Sequence, residues 1–192
     1  MLNKIVIDFE TQKSFDEVGG RDKHHLLKIS VAGLYSYPLN KYFAFAEDQV
    51  SKLADMIAEA DQVIGFNIKH FDFEVLKPYV SYDVHSIPYL DILEEVEKLI
   101  GHRVKLENLA QMNLGTGKSG DGLEALKLYK QGRIEDLKKY CLDDVRITKE
   151  LYDYVQKYNK LLYKDYFETK EVKISFTEPE SKKNTVKQGS LF

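Results

Sequence analysis

The stretch Lys4-Ile5-Val6-Ile7-Asp8-Phe9-Glu10-Thr11 decides how this chain is read. Three consecutive β-branched residues, Ile5-Val6-Ile7, lack the alternation of a half-exposed strand and predict a strand buried on both faces. That strand runs directly into acidic residues. Strand side chains point alternately to opposite faces, so Asp8 and Glu10 share one face and Phe9 takes the other. Neighbouring carboxylates repel unless a cation lies between them. Hard oxygen ligands select Mg²⁺ or Mn²⁺ over thiophilic metals. The letters alone carry little, because 31 acidic residues among 192 yield about five such pairs by chance. Their position, ending a wholly apolar strand, carries more.

Outward from this strand, polar residues 16–25 with Gly19-Gly20 predict a loop. Residues 28–37 and 42–45 read as strands joined by a turn at Pro38-Leu39-Asn40. Val50, Leu53, Ala54, Ile57 and Ala58 recur at helical spacing within residues 47–60. Residues 63–66 predict a short strand, and residues 71–79 a short helix stopped near Pro78. Asp91 is a candidate cap for a helix that ends at Gly101. Further helices are expected over 106–112, 123–130 and 134 to about 163, with a glycine-rich loop over 114–122. This order predicts an α/β fold, a mixed β-sheet flanked by helices. One domain is expected over 1–165, followed by a C-terminal extension over 166–192. The Pro, Ser, Lys, Asn and Glu between 177 and 188 predict a flexible tail there.

The bulk properties fit a soluble globular protein: 43% hydrophobic, 31% charged, net charge −3. That balance argues against a duplex coat protein, which is usually basic. It leaves a nuclease open, since a metal-loaded acidic site handles its own phosphate. Cys141 is the single cysteine, so no intrachain disulfide forms, and a cytoplasmic location is expected. Neither a signal peptide nor a membrane-spanning stretch is read, so no membrane partner is expected.

Two further pieces bear on the carboxylate pair. Residues 63–72 run from an apolar strand through a polar turn to Asp72, which opens the next helix. An ordinary helix N-cap is the bland alternative for Asp72. Tyr140 and Asp144 lie four apart in a long helix and so share a face, while Asp143 points elsewhere. Taken singly, such a pair is more commonly a surface Tyr and Asp on an amphipathic helix.

Together the three pieces resemble the exonuclease motifs of the DEDD superfamily, whose fold is ribonuclease H-like. Asp8-Phe9-Glu10-Thr11 is similar to the first motif of family-B DNA polymerase proofreading domains. Asn67 to Asp72 matches N-x-x-x-F-D, and Tyr140 to Asp144 matches Y-x-x-x-D. One branch of that superfamily carries histidine five residues before the last Asp, where this chain has Lys139. The other carries tyrosine four before it, here Tyr140. The resemblance is therefore to the tyrosine branch, and it is closest to stand-alone bacterial exonucleases related to those proofreading domains.

What the resemblance implies is a 3′–5′ exonuclease using two Mg²⁺ or Mn²⁺ ions. Asp8, Glu10, Asp72 and Asp144 would hold the ions, and Tyr140 would position the water. The partners implied are single-stranded 3′ ends, DNA rather than RNA, and DNA repair is the expected setting. Phe9, Thr11 and Phe71 are candidates for gripping the terminal nucleotide, and Asn67 for its sugar or backbone. An exoribonuclease and a non-catalytic adaptor on the same fold are the rival readings.

Two short motifs remain. Gly115-Thr116-Gly117-Lys118-Ser119 looks like a P-loop, but Met112 stands where such a loop needs glycine. A glycine-rich loop near the substrate groove is the better reading, and it leaves a phosphate contact open to Lys118. The last five residues, Gln188-Gly189-Ser190-Leu191-Phe192, resemble the bacterial sliding-clamp-binding pentapeptide Q-x-[SD]-L-F. Leu191 and Phe192 would be its apolar anchors and Gln188 its polar contact. The five histidines show no zinc-ligand spacing, and His70 reads as a surface turn residue.

Overall fold

The computed structural model describes residues 2–117 and 122–179. Its opening strand, β1 (Lys4–Thr11), is the middle of a five-stranded sheet. Antiparallel β2 (Ile29–Ser36) lies on one side, with antiparallel β3 (Lys41–Ala46) beyond it. Parallel β4 (Gln62–Gly65) lies on the other side, followed by parallel β5 (Tyr89–Asp91). The mixed sheet anticipated from the element order is therefore present.

Helices cover both faces, which explains the unbroken apolar run of β1. The helices are α1 (Phe15–Val18), α2 (Val50–Ala58), α3 (Asp72–Leu76), α4 (Ile92–Ile100), α5 (Leu106–Leu114), α6 (Gly122–Lys130) and α7 (Ile134–Tyr158). Ile5, Ile7 and Phe9 pack with Leu53 and Ile57 of α2 and Phe73 and Leu76 of α3. Val6 points the other way, into a core built with Val96, Leu109, Val145 and Leu151. Each fully buried Ile or Val contributes ~1.5–3 kcal/mol. The even-numbered positions of β1 therefore face α7, and the odd-numbered ones face α2 and α3.

Two expectations are corrected. Residues 16–25 are not simply a loop. Ser14 caps α1 through a capping box with Glu17, and a 3₁₀ turn follows at His24–Leu26. The last helix stops at Tyr158 rather than near 163, where Asn159 adopts left-handed φ 53°. Beyond it, β6 (Lys160–Asp165) and β7 (Glu168–Lys173) form a hairpin. Leu161 and Tyr163 are buried and Lys164 is exposed, a period of two that ends the helix. Strand β5 has no counterpart in the sequence reading, since three residues are too short to stand out as a pattern. The helix cap at Asp91 is present: its side chain accepts the N–H groups of Leu93 and Glu94. Among the described residues, no helix is long and apolar enough to cross a membrane.

Candidate active site

Asp8 and Glu10 project from the α7-facing side of β1, and Asp144 projects from α7 itself. Their carboxylate oxygens all lie within 4.8 Å of one another. Gly33 makes this approach feasible. It pairs with Asp8 across the β1–β2 ladder, and a Cβ there would meet Val145 Cγ2 at 2.7 Å and Cys141 Sγ at 3.1 Å. A side chain there would force Val145 or its surroundings on α7 to shift.

Cys141, one turn before Asp144, donates its thiol to the Asp8 carbonyl at 3.2 Å. Burial pushes that thiol well above its ordinary pKa, and the surrounding carboxylates, Asp8 foremost, push it further. The thiol is engaged with the Asp8 carbonyl, and the clustered ligand atoms are carboxylate oxygens.

Asp72 faces the same cleft from α3. It is the first residue of that helix, and Phe71 occupies the cap position, so Asp72 is not the N-cap. The side chain is 3% exposed, and its Oδ1 has no hydrogen-bond partner among the described residues. Burial pushes its carboxyl up to about 8, and the Asp91 carboxylate adds to this. The backbone N–H groups of Asp72 and Phe9 oppose the shift. A buried carboxylate without a counter-charge is costly. Three clustered carboxylates and a fourth with an unsatisfied oxygen fit a hard divalent cation.

The cleft has a volume of about 300 Å³ and is lined by Asp8, Glu10, Asp72 and Asp144. Thr11 borders it, its hydroxyl donating to the Lys13 carbonyl at 2.9 Å. Phe9 also borders it, but its ring is 3% exposed and packs in the core. Phe71 stands at the rim in an edge-on cluster with Phe15 (6.1 Å) and His24 (6.1 Å). Lys13 and Phe15 line the cleft too. No local pattern marks either residue, since both flank the polar stretch 16–25.

Tyr140 is 6% exposed and does not line the cleft. It packs with Val31 of β2, Ala125 and Leu128 of α6, and Leu137. Asp143 turns away and pairs with Arg146 at 2.7 Å. Lys139 is 80% exposed, and His70 is exposed on its turn. Asn67 lies in a second groove that adjoins the cleft at Asp8 and Phe66. Lys118, Gln188, Leu191 and Phe192 lie outside the described residues.

Asp91 does more than the cap anticipated for it. Besides holding the start of α4, it accepts the N–H of Asn67 at 2.7 Å and of Lys69 at 3.1 Å. One buried carboxylate thus fixes the turn that leads into Phe71 and Asp72. A second role of this kind depends on residues 22 and 24 positions away, which no local pattern reveals.

A family model for the RNase H superfamily matches residues 7–156, a span that includes all four cleft carboxylates. No curated protein sequence matches this one. Among solved structures, the chain is similar to the family B DNA polymerase from the hyperthermophilic archaeon Pyrobaculum calidifontis. The TM-score is 0.62 at 16% identity, over 81% of this chain and 24% of that one. The likeness is one of fold, and the chain spans about a quarter of that polymerase's length.

Proposed function

The chain belongs to the RNase H superfamily, and from that premise we propose that it is a metal-dependent 3′–5′ exonuclease of the tyrosine branch. It would release nucleoside 5′-monophosphates from single-stranded or frayed DNA ends. The observation that carries this reading is the cluster of Asp8, Glu10 and Asp144, with Asp72 lining the same cleft. Nuclease chemistry is what this superfamily and this carboxylate set support. Substrate and direction are the further step proposed here.

Asp8, Glu10 and Asp144 would hold the divalent ions, Mg²⁺ or Mn²⁺, with Asp72 as the fourth carboxylate. Bound there, such ions lower the pKa of water and neutralise charge on the phosphate and the leaving oxygen. The rest falls to the chain's own side chains. Phe71, backed by Phe15, offers a ring face for the terminal base. Lys13 offers a cation at the same cleft. A volume of about 300 Å³ lies at the lower end of small-ligand sites, ~300–1,000 Å³. It suits one nucleotide at a strand end. Tyr140 would position the attacking water. Its ring packs with Ala125 and Leu128 of α6, one turn before Asp144 on α7. The C-terminal Gln188, Leu191 and Phe192 would tether the enzyme to a sliding clamp.

The test uses 5′-labelled single-stranded DNA and RNA of equal sequence, with Mg²⁺ or Mn²⁺, for wild type and Asp8→Ala. The expected result is a ladder growing from the 3′ end of DNA that Asp8→Ala abolishes. No ladder with either metal would sink the enzyme reading in favour of the adaptor. Preference for the RNA strand would make the substrate RNA.

A further inference from the structure

The cleft does not end at the carboxylates. Asp8 and Phe66 also border a second groove of about 480 Å³ whose far wall carries Arg103 and Lys105. We propose that this groove binds the phosphodiester backbone of the strand on the 5′ side of the scissile bond, with Arg103 and Lys105 as its phosphate contacts. The proposal rests on the nuclease reading, since it takes the strand end to lie in the first cleft.

Several observations converge on that wall. Arg103 is half exposed, and its pair with Glu97 at 3.3 Å is open to solvent. Such a pair adds only ~0–1 kcal/mol, so the fold does not depend on it. Arg103 also donates to Asn67 Oδ1 at 2.6 Å. Asn67 is itself held in a left-handed conformation, φ 66°, with its N–H on Asp91. The guanidinium is therefore positioned from a fixed turn, and its fork retains N–H groups for a phosphate. Lys105 is exposed and makes no ion pair among the described residues.

Helix α5 starts immediately after Lys105 and has no side-chain cap. Leu106 and Glu107 of its first turn line the groove, at the positive end of the helix dipole. Glu107 on the same wall opposes an anion. Against a net charge of −3 for the chain, two adjacent cations beside the reaction centre form a local site for a polyanion.

The experiment measures fluorescence anisotropy of a labelled single-stranded DNA hexanucleotide with the full chain in EDTA, over a range of salt. Binding is thereby separated from hydrolysis. Arg103→Ala with Lys105→Ala should weaken binding ~10-fold. The slope of log affinity against log salt should fall by ~0.7 for each cation lost. RNA of the same sequence should lose equally, because the contacts go to phosphate. Glu107→Gln should tighten binding. Lys52→Ala, on α2 across the sheet, should leave affinity and slope unchanged, and circular dichroism should show each variant folded.

The proposal fails if the double variant keeps the wild-type affinity and slope, or if Lys52→Ala costs as much as Arg103→Ala. It also fails if wild type does not bind the hexanucleotide. A chain that binds through Arg103 yet never hydrolyses DNA or RNA would overturn the exonuclease reading and leave the groove standing.

Discussion

Replacing Asp72 by asparagine should make the metal-free protein more stable and the enzyme inactive. Asp72 is 3% exposed, and burial raises its carboxyl from an ordinary 3.8 to about 8. A group whose folded pKa is raised contributes stability that is complete below the unfolded pKa. That contribution is lost as pH rises through the folded value. The window here runs from about pH 4 to about pH 8. Each pH unit of that window is worth ~1.4 kcal/mol in the limit. Part of it is recovered as the folded chain relaxes around the charge, leaving roughly 2–4 kcal/mol at pH 8. Asparagine keeps the shape and removes the ionisation. In EDTA at pH 8, Asp72→Asn should melt ~5–10 °C higher than wild type. The gap should close towards pH 4. With Mn²⁺ the order should narrow or reverse, because a cation stabilises only the carboxylate form. Differential scanning fluorimetry across pH, with and without metal, reads all three. A gap that is absent at pH 8, or constant with pH, would refute the reasoning.

Asp91→Ala removes the acceptor of four backbone N–H groups; urea unfolding should show a loss of ~2–4 kcal/mol. Nuclease activity should fall with it, because the turn before Asp72 loses its anchor. Tyr140→Phe should lower kcat ~100-fold with KM retained if the hydroxyl positions water; steady-state kinetics at an unchanged melting temperature checks this, and wild-type kcat would remove Tyr140 from the site. A chain lacking its last five residues should lose capture by an immobilised bacterial sliding clamp while degrading short oligonucleotides at the wild-type rate.

The parts of this molecule legible in the sequence are those written in local periodicity. Ile5-Val6-Ile7 could be buried on both faces only if helices covered both sides of the sheet, and they do. The alternation after it placed Asp8 and Glu10 on one face, and the four-residue spacing placed Asp144 one turn from Tyr140. The hairpin of β6 and β7 was not legible, since Leu161 and Tyr163 extend a helical-looking run of aromatics and only the left-handed Asn159 breaks it. The burial of Tyr140 was also hidden, because it depends on packing with Ala125 and Leu128 of α6, a separate helix. Gly33 showed no signal as the residue that lets α7 approach Asp8, since that contact joins elements more than 100 residues apart. Arg103 belongs to the same class: its place beside the carboxylates is a matter of tertiary contact with Asn67.

The central claim is that Asp8, Glu10 and Asp144 hold the ions at which a strand is cut. The most direct measurement is anomalous X-ray diffraction from crystals soaked in Mn²⁺, at a concentration that supports hydrolysis, for wild type and Asp8→Asn. The account predicts an anomalous peak among the three carboxylates in wild type and its loss or marked weakening in Asp8→Asn. A wild-type cluster without a peak, in a protein that degrades DNA under the same conditions, would contradict it.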